Sequence, residues 1–509
     1  MQKQKWGIVV IILLLLGMSI PAKANAATDR KWQDEMMYFI MVDRFNNGDV
    51  KNDGDANPDD PKAYHGGDIQ GIIEKLDYIK DMGFTSIWLT PIFYNEQKGY
   101  HGYWIQDFYK VDEHFGTIQD FKKLVKEAHK RDMKVILDFV ANHTGYQHPW
   151  LKDPAKKDWF HEKKDIVNWN SQDEIENGWL YGLPDLNQEN PDVKKYLIDA
   201  GKWWIKETDI DGYRLDTVRH VPKEFWTEFS EEMKKTKKDF FLLGEVWNSD
   251  PRYLAEYQKI GIDAMVDFPL YDQLTNIFSN VDESQENLIA SWKRNKVAYP
   301  HPYLLGTFLD NHDTERFTRQ ALRHKQYPVT RTKLGLTYLY GAPGIPIVYY
   351  GTEITLDGGK DPDNRRLMNF QSDKELGEYV GKLAELRRKH PSLRRGTFDS
   401  IYEENGMAIY KRTYKNETTL VAINNTSKNQ VVDLKEDFGR KKELRGLLES
   451  DFVRPDGDVY KLSVNRETAN IYVVADKSGL NIPYIAAIVA IYVAFIAFLY
   501  FARKRRRKA

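Results

Sequence analysis

Eight apolar, β-rich runs recur between residues 37 and 351, and amphipathic helical patterns separate several of them. The runs are MYFIMVDRF (37–45), SIWLTPI (86–92), KVILDFV (134–140), GYRLDTV (212–218), FFLLGEVW (240–247), AMVDFPL (264–270), LLGTFLD (304–310) and IPIVYYG (345–351). Runs this short and this continuously apolar read as strands of a parallel sheet buried on both faces. Between them, Ile69, Ile72, Ile73, Leu76 and Ile79 share one helical face, which Gly83 ends. Phe121, Leu124, Val125 and Ala128 repeat the pattern, and Val193, Tyr196, Leu197 and Ala200 follow Asn190-Pro191 as a helix start. Strands alternating with helices in this number predict an α/β fold, a closed (β/α)8 TIM barrel.

Two stretches break the alternation. The connection from residue 141 to 211 is longer than a barrel turn needs, and 144–190 is rich in Trp, Asp, Asn, Gly and Pro. It predicts a small inserted domain after strand three. After residue 392 the runs become short and alternating: MAIYKRTY (407–414), TTLVAINN (418–425), QVVDL (430–434) and IYVVA (471–475). They predict a C-terminal antiparallel β-sandwich domain over 393–478. The barrel then occupies 27–143 and 191–392.

The two ends carry their own signals. Residues 1–26 join a basic start, an apolar run (8–16) and small residues around Ala22, Ala24 and Ala26. They read as a secretory signal peptide, the alternative being an uncleaved anchor. Residues 483–502, PYIAAIVAIYVAFIAFLYFA, hold no charge and match the ~20 residues that cross a bilayer as a helix. The basic stretch within 503–509 follows at once. Positive charge stays cytoplasmic, so the body is expected on the extracellular face, tethered by one C-terminal transmembrane helix.

The formal net charge of −1 hides this division. Nine of the 74 basic residues lie in those two ends, leaving 65 against 75 acids in the body. An acidic body repels phosphate, so no nucleic-acid partner is expected. The absence of cysteine excludes a disulfide framework, a thiolate metal site and a cysteine nucleophile. Thirteen Trp, 30 Tyr and 24 Phe supply flat apolar surfaces suited to sugar rings.

Barrel chemistry sits at the C-terminal ends of the strands. The polar residues of the apolar runs fall there: Asp138 with Asn142 and His143, Arg214 with Asp216, Glu245, and His312 with Asp313. Acids at several strand ends converge on one mouth, where burial is costly unless partners or a ligand compensate. With these residues in place, the sequence resembles the α-amylase family, glycoside hydrolase family 13, over roughly 35–478. DFVANH (138–143), GYRLDTVRH (212–220), GEVW (244–247) and FLDNHD (308–313) resemble its four principal signatures, in order. LPDLN (183–187), GFTSIWLTPI (83–92) and GIPIVYYGTE (344–353) resemble its supporting ones.

The resemblance implies roles. Asp216 would be the nucleophile and Glu245 the general acid/base of a retaining cleavage, and Asp313 would bind sugar hydroxyls and stabilise the transition state. Arg214 would pair with Asp216, and Asp138 would order the cluster. Tyr103 in GYHGYW (99–104) would stack on the same sugar, beside His101, His143 and His312; core packing is the alternative for Tyr103 and Trp104. Arg219 and His220 resemble a pair that contacts glucose beyond the cut. Calcium is the implied cofactor, held by Asn142, Asp185 and the His220 carbonyl. DRFNNGDVKNDGD (43–55) with GGD (66–68) resembles a second calcium loop, with Asn47, Asp49, Asn52, Asp53, the Gly66 carbonyl and Asp68 as ligands. The other reading of that loop is an Asx-rich turn without metal.

The implied activity is endo-hydrolysis of α-1,4 bonds in starch and maltooligosaccharides. A neopullulanase- or cyclomaltodextrinase-like or transglycosylating enzyme is the alternative. It is less expected because no extra domain precedes Tyr38 and no large starch-binding module follows the β domain. A non-enzymatic, barrel-bearing membrane protein is the distant one, although such proteins place the helix before the barrel and lack the full acid set.

Overall fold

Gly83 shows how the sequence punctuates the barrel. The helix Ile69–Asp81 buries Ile69, Ile72, Leu76 and Ile79, and Gly83 follows it at φ +85. That left-handed position stops a helix at no steric cost to glycine. The chain then enters the strand Ser86–Leu89. Our computed structural model describes residues 30–439, 441–477 and 482–506. The expected signal segment, 1–26, and the end of the basic tail lie outside the described residues.

The barrel strands are Met37–Ile40, Ser86–Leu89, Lys134–Phe139, Gly212–Leu215, Phe241–Gly244, Ala264–Met265, Gly306–Thr307 and Ile345–Tyr349, called first to eighth below. They form one parallel sheet in which the first strand pairs with both the second and the eighth. A bridge between Val266 and Gly306 closes the ring between the sixth and seventh strands. Their side chains are buried on both faces, as continuous apolar runs require. The helices pack outside: Ile69–Asp81 lies against Ile118–Lys130, and Pro191–Thr208 against Lys223–Thr236.

Three expected strands are much shorter than their apolar runs. In 37–45 only Met37–Ile40 is strand, and Val42–Phe45 forms a helical turn. In 264–270 only Ala264–Met265 is strand, because Asp267 accepts the Leu270 N–H and caps the helix Phe268–Phe278, with Pro269 in its first turn. In 304–310 only Gly306–Thr307 is strand; Pro302–Leu304 is a 3₁₀ turn before it. An antiparallel hairpin, Phe93–Asn95 with Ile105–Val111, follows the second strand and has no counterpart in the expected pattern.

The connection between the third and fourth strands is built from short helical turns and isolated bridges, His143–Asp185, Phe160–Leu186 and Asp165–Trp179. It ends where Asn190 caps the helix Pro191–Thr208 by accepting the Asp192 N–H (2.9 Å).

The C-terminal unit has a six-stranded antiparallel sheet in the order Asp399–Glu404, Met407–Tyr414, Glu417–Asn424, Thr468–Asp476, Lys442–Gly446 and Phe452–Val453. The pair Gln430–Leu434 and Tyr460–Val464 packs over it around Ile409, Leu420, Leu444, Leu462 and Tyr472. The last helix, Ile482–Arg506, contains a window, Ile485–Lys504, of mean hydropathy 2.6. It is long and apolar enough to cross a membrane, and none of that window is buried against the rest of the protein.

Candidate active site

Strand register gathers the first charged side chains. Asp138 on the third strand sits opposite Arg214 on the fourth. Asp216, two residues beyond Arg214, returns to the same side of the strand. Its N–H bonds to the Phe139 carbonyl (3.0 Å), and the Glu245 N–H bonds to the Leu215 carbonyl (2.9 Å) just past the fifth strand. Arg214 Nη1 donates to Asp138 Oδ1 (2.9 Å) and to Asp216 Oδ1 (2.8 Å). Its Nη2 pairs with Glu245 Oε1.

Thr217 ties the same two carboxyls from the other side. Its backbone is left-handed, φ 45 and ψ 43, which costs a β-branched residue on the order of 1–3 kcal/mol. The turn aims the Thr217 N–H at Glu245 Oε2 (3.1 Å) and the hydroxyl at Asp216 Oδ2 (3.0 Å). Asp216 and Glu245 thus share one guanidinium and one threonine.

A second group faces them. Tyr103 donates its hydroxyl to Asp138 Oδ2 (2.8 Å), bonds His312 Nε2 (2.7 Å) and lies stacked on the His312 ring. Gly102 makes the turn that delivers it: φ is +90, and a Cβ there would lie 2.0 Å from the Pro91 carbonyl oxygen. His101 Nδ1 accepts the Tyr103 N–H (3.1 Å). Asp313 contacts His312 Nε2 and Arg365 Nη2, each at 3.3 Å. His143 completes the wall, and its Nε2 is buried without a partner among the described residues.

Burial sets the charge states. It raises the Glu245 carboxyl above the usual range; Arg214 opposes the shift, and Asp216 and Asp313 add to it. Burial likewise raises Asp138 against the pull of Arg214. On Arg214 burial disfavours the charge, but Asp138, Glu245 and Asp216 outweigh it. Burial lowers His101, His143 and His312, so these rings are neutral hydrogen-bonding groups. A raised, proton-bearing glutamate beside an aspartate on a shared arginine can divide labour as acid and nucleophile.

The cluster opens into a cavity of about 810 Å³. Trp104, Tyr146, Trp169, Tyr181 and Trp247 line it. Tyr181 is 81% exposed and Trp247, one face of which stacks on Phe268, is 53% exposed, so both present ring surface to the cavity. Arg219 lines the cavity but spends its guanidinium on two main-chain carbonyls, Trp247 (3.1 Å) and Trp169 (3.2 Å). It joins the inserted segment to the loop after the fifth strand. His220 also lines the cavity, with Nδ1 on the Ile175 carbonyl (3.1 Å).

The expected metal residues also meet. Asn142 Oδ1 lies 3.1 Å from Asp185 Oδ1 and 2.8 Å from the His220 carbonyl oxygen. Turned over, the amide nitrogen would donate to both; turned as here, three oxygens face one another, a donor set that fits a hard cation. Asp185 Oδ2 is bonded to His161 Nδ1 (2.6 Å). In the other loop, Asp68 caps the helix Ile69–Asp81 through the Gly71 N–H (2.6 Å) and accepts the Gly48 and Asp49 N–H groups. Asn52 donates to it (3.3 Å), Asn47 donates to Asp53 (2.7 Å), and a Cβ on Gly66 would strike both Asn47 and Asp53. Asp49 accepts the Lys51 N–H. These loop residues cluster; protein donors engage both Asp68 oxygens and one oxygen each of Asp49 and Asp53, while Asn52 Oδ1 is buried without a partner among the described residues. Among the described residues no three His, Asp or Glu side chains converge as a metal cage.

The sequence and the fold match known proteins. The sequence model of the α-amylase catalytic domain matches residues 39–395, and that of the α-amylase C-terminal domain matches 396–472. The chain belongs to the α-amylase family. A solved Anoxybacillus α-amylase superposes with a TM-score of 0.88 at 70% identity, covering 89% of this chain and all of that one. A β/α-amylase of Paenibacillus polymyxa is 40% identical over 78% of this chain, which spans only 34% of that relative's length. A cyclomaltodextrinase of Thermoanaerobacter pseudethanolicus is 34% identical over 81% of this chain and 74% of its own.

Some residues of this amylase-family cleft escaped the sequence reading. Arg365 donates to the His312 carbonyl (2.9 Å) and reaches Asp313 and the Tyr100 hydroxyl. Arg44 lies 3.9 Å over the Tyr100 ring. Trp88 donates to Asp138 Oδ2 (3.3 Å). Trp88 and Arg44 lie in or beside expected strands and carry no local mark of function. Arg365 sits in a charged loop after the last signature.

Proposed function

We propose that the protein is a retaining α-glucan hydrolase in which Asp216 is the nucleophile and Glu245 the general acid/base. The observation that carries this reading is the shared anchoring of both carboxyls by Arg214 and Thr217 at the floor of an aromatic cleft. Asp216 attacks the anomeric carbon. The bond to the glycosidic oxygen breaks as Glu245 transfers its proton to that oxygen, leaving a covalent glucosyl–Asp216 ester. Water then attacks the same carbon, gives its proton to Glu245 and releases Asp216. Asp313, His143 and His312 hold sugar hydroxyls, and Tyr103 presents its ring to the sugar.

The preferred substrates are α-1,4 chains of starch and maltooligosaccharides, cut internally. The 70% identity to an α-amylase along that enzyme's whole length supports this choice. A cyclomaltodextrinase-like or transglycosylating activity is the second reading, favoured by the cyclomaltodextrinase relative. Product analysis on maltoheptaose, pullulan and a cyclomaltodextrin separates the two. Mixed short maltooligosaccharides from maltoheptaose with slow cyclomaltodextrin opening support the amylase. Preferential opening of the ring, or products longer than the substrate, supports the alternative.

We further propose that calcium is held by Asn142, Asp185 and the His220 carbonyl, with a second ion in the 47–68 loop. Bound there, it would neutralise the facing oxygens and fasten the inserted segment to the barrel. We place the enzyme on the outer face of the cell membrane, secreted by its first residues and tethered by Ile482–Arg506.

A further inference from the structure

We propose that the tether leaves the body on the side opposite the cleft, so that the far end of the C-terminal unit faces the bilayer and the cleft opens away from it. This rests on the reading of Ile482–Arg506 as a membrane-spanning helix.

The direction follows from connectivity. The helix Pro328–Gly341 runs from the cleft side of the barrel to the opposite side, because the eighth strand starts just after it at Ile345 and runs back toward the cleft. The helix Glu375–Lys389 runs alongside in the same sense. Lys333 pairs with Glu375 near both starts (2.6 Å), and Arg387 donates to the Tyr340 and Gly344 carbonyls near both ends. These contacts give the body an axis.

The last strand of the C-terminal unit, Thr468–Asp476, lies along that axis. At its start, Glu467 pairs with Arg331 (3.7 Å), and Asn425 accepts from Arg331 Nη2 (2.6 Å), both near the cleft-side end of Pro328–Gly341. Farther along, Val473 pairs with Thr419, and Thr419 pairs with Arg412, whose Nη1 donates to the Gly341 carbonyl at the far end of that helix. The strand therefore travels away from the cleft. Asp476 lies three residues beyond Val473, roughly 10 Å farther out at the usual strand rise.

Only residues 477–481 separate this strand from the helix. Such a connection spans at most roughly 20 Å. The far end of the sheet is thus leashed to the membrane surface, and the body stands between that surface and the catalytic mouth. The far end itself mixes charges, Lys415, Lys441 and Lys477 among Glu436, Asp437 and Asp476. The orientation is accordingly fixed by topology and leash length rather than by a charged face. A glucan too large to enter the bilayer's surface layer then meets the cleft from the open side.

Because the chain has no cysteine, single thiols can report the orientation. In the full chain reconstituted into phosphatidylglycerol–phosphatidylethanolamine vesicles, one donor dye is placed at Asn416→Cys, in the exposed turn at the far end. Another is placed at Val167→Cys, 83% exposed on the inserted segment beside the cleft. Energy transfer to a rhodamine-labelled lipid is expected to be at least twofold greater from position 416. Flotation of the same sample, against a chain ending at residue 477, reads the tether separately. Co-flotation of the full chain with equal or greater transfer from position 167 overturns the orientation alone. Failure of the full chain to co-float overturns the tether, and the orientation with it.

Discussion

The buried arginines of the mouth and those of the junction with the C-terminal unit are used in opposite ways. At the mouth, Arg214 sits among Asp138, Asp216 and Glu245, and those acids keep its charge in place despite burial. At the junction of barrel and C-terminal unit, Arg387 donates to the carbonyls of Tyr340, Ala342, Gly344 and Leu393. Arg412 nearby donates to those of Gly341, Thr397 and Gly396. Burial pulls these two down, Arg387 to about 10 and Arg412 to about 9. Neutral dipoles satisfy donors without balancing charge, so the junction is a joint. Three acids around one cation leave protons and charges to redistribute, so the mouth can do chemistry.

The contrast is sharpest in the acids themselves. Asp216→Asn and Glu245→Gln should each lower turnover by about 10⁴-fold or more. Neither should shift the thermal midpoint much, because each amide keeps the shape; near-normal turnover in either would break the assignment. Next come the two arginines. Arg214→Met and Arg387→Met should each destabilise the fold by roughly 3–5 kcal/mol, because each strands buried partners. Only the first should abolish turnover per folded molecule, measured at low temperature after denaturant titration. A kinetic defect of similar size in Arg387→Met would erase the distinction.

Excess chelator should lower the thermal midpoint by several degrees and speed proteolysis within 144–190, since the seam of Asn142, Asp185 and the His220 carbonyl would lose the ion that fastens it, leaving only hydrogen bonds from a turned-over Asn142 amide. An unchanged midpoint would refute structural calcium. The smallest effect concerns pH. Glu245 is raised, so its proton persists above the ordinary glutamate range and turnover falls as pH rises through that shifted value. Asp313 contributes to the rise, so Asp313→Asn should move the alkaline limb of kcat to lower pH, by about one unit or less, alongside its slower rate. A limb moving to higher pH would contradict the sign.

Much of the mouth was legible because its residues interrupt apolar runs at strand ends: Asp138, Arg214, Asp216, Glu245, His312 and Asp313 all fall there and all meet. Arg365 and Trp88 were not, because the contacts that give them their role come from distant segments. The sixth and seventh strands were read too long, since a continuous apolar run does not separate a buried strand from a strand that turns into a helix. Asp267, the cap that ends the sixth, was the visible clue. In the C-terminal unit the strands Asp399–Glu404, Lys442–Gly446, Phe452–Val453 and Tyr460–Val464 were passed over. Asp399–Glu404 and Lys442–Gly446 are dense in charge and Phe452–Val453 is only two residues long, so they read as loop, whereas Tyr460–Val464 alternates buried Tyr460, Leu462 and Val464 with polar residues and did carry the signal.

Incubating Glu245→Gln with an α-maltosyl fluoride blocked by fluorine at the reacting sugar's 2- or 5-position, then mapping the adduct by peptide mass, tests the double displacement most directly. The fluoride leaves without a proton, and the variant lacks the base for the second step. A sugar ester confined to the peptide bearing Asp216 is the result expected here. An adduct on any other residue, or steady release of the inverted sugar with none trapped, would contradict the account.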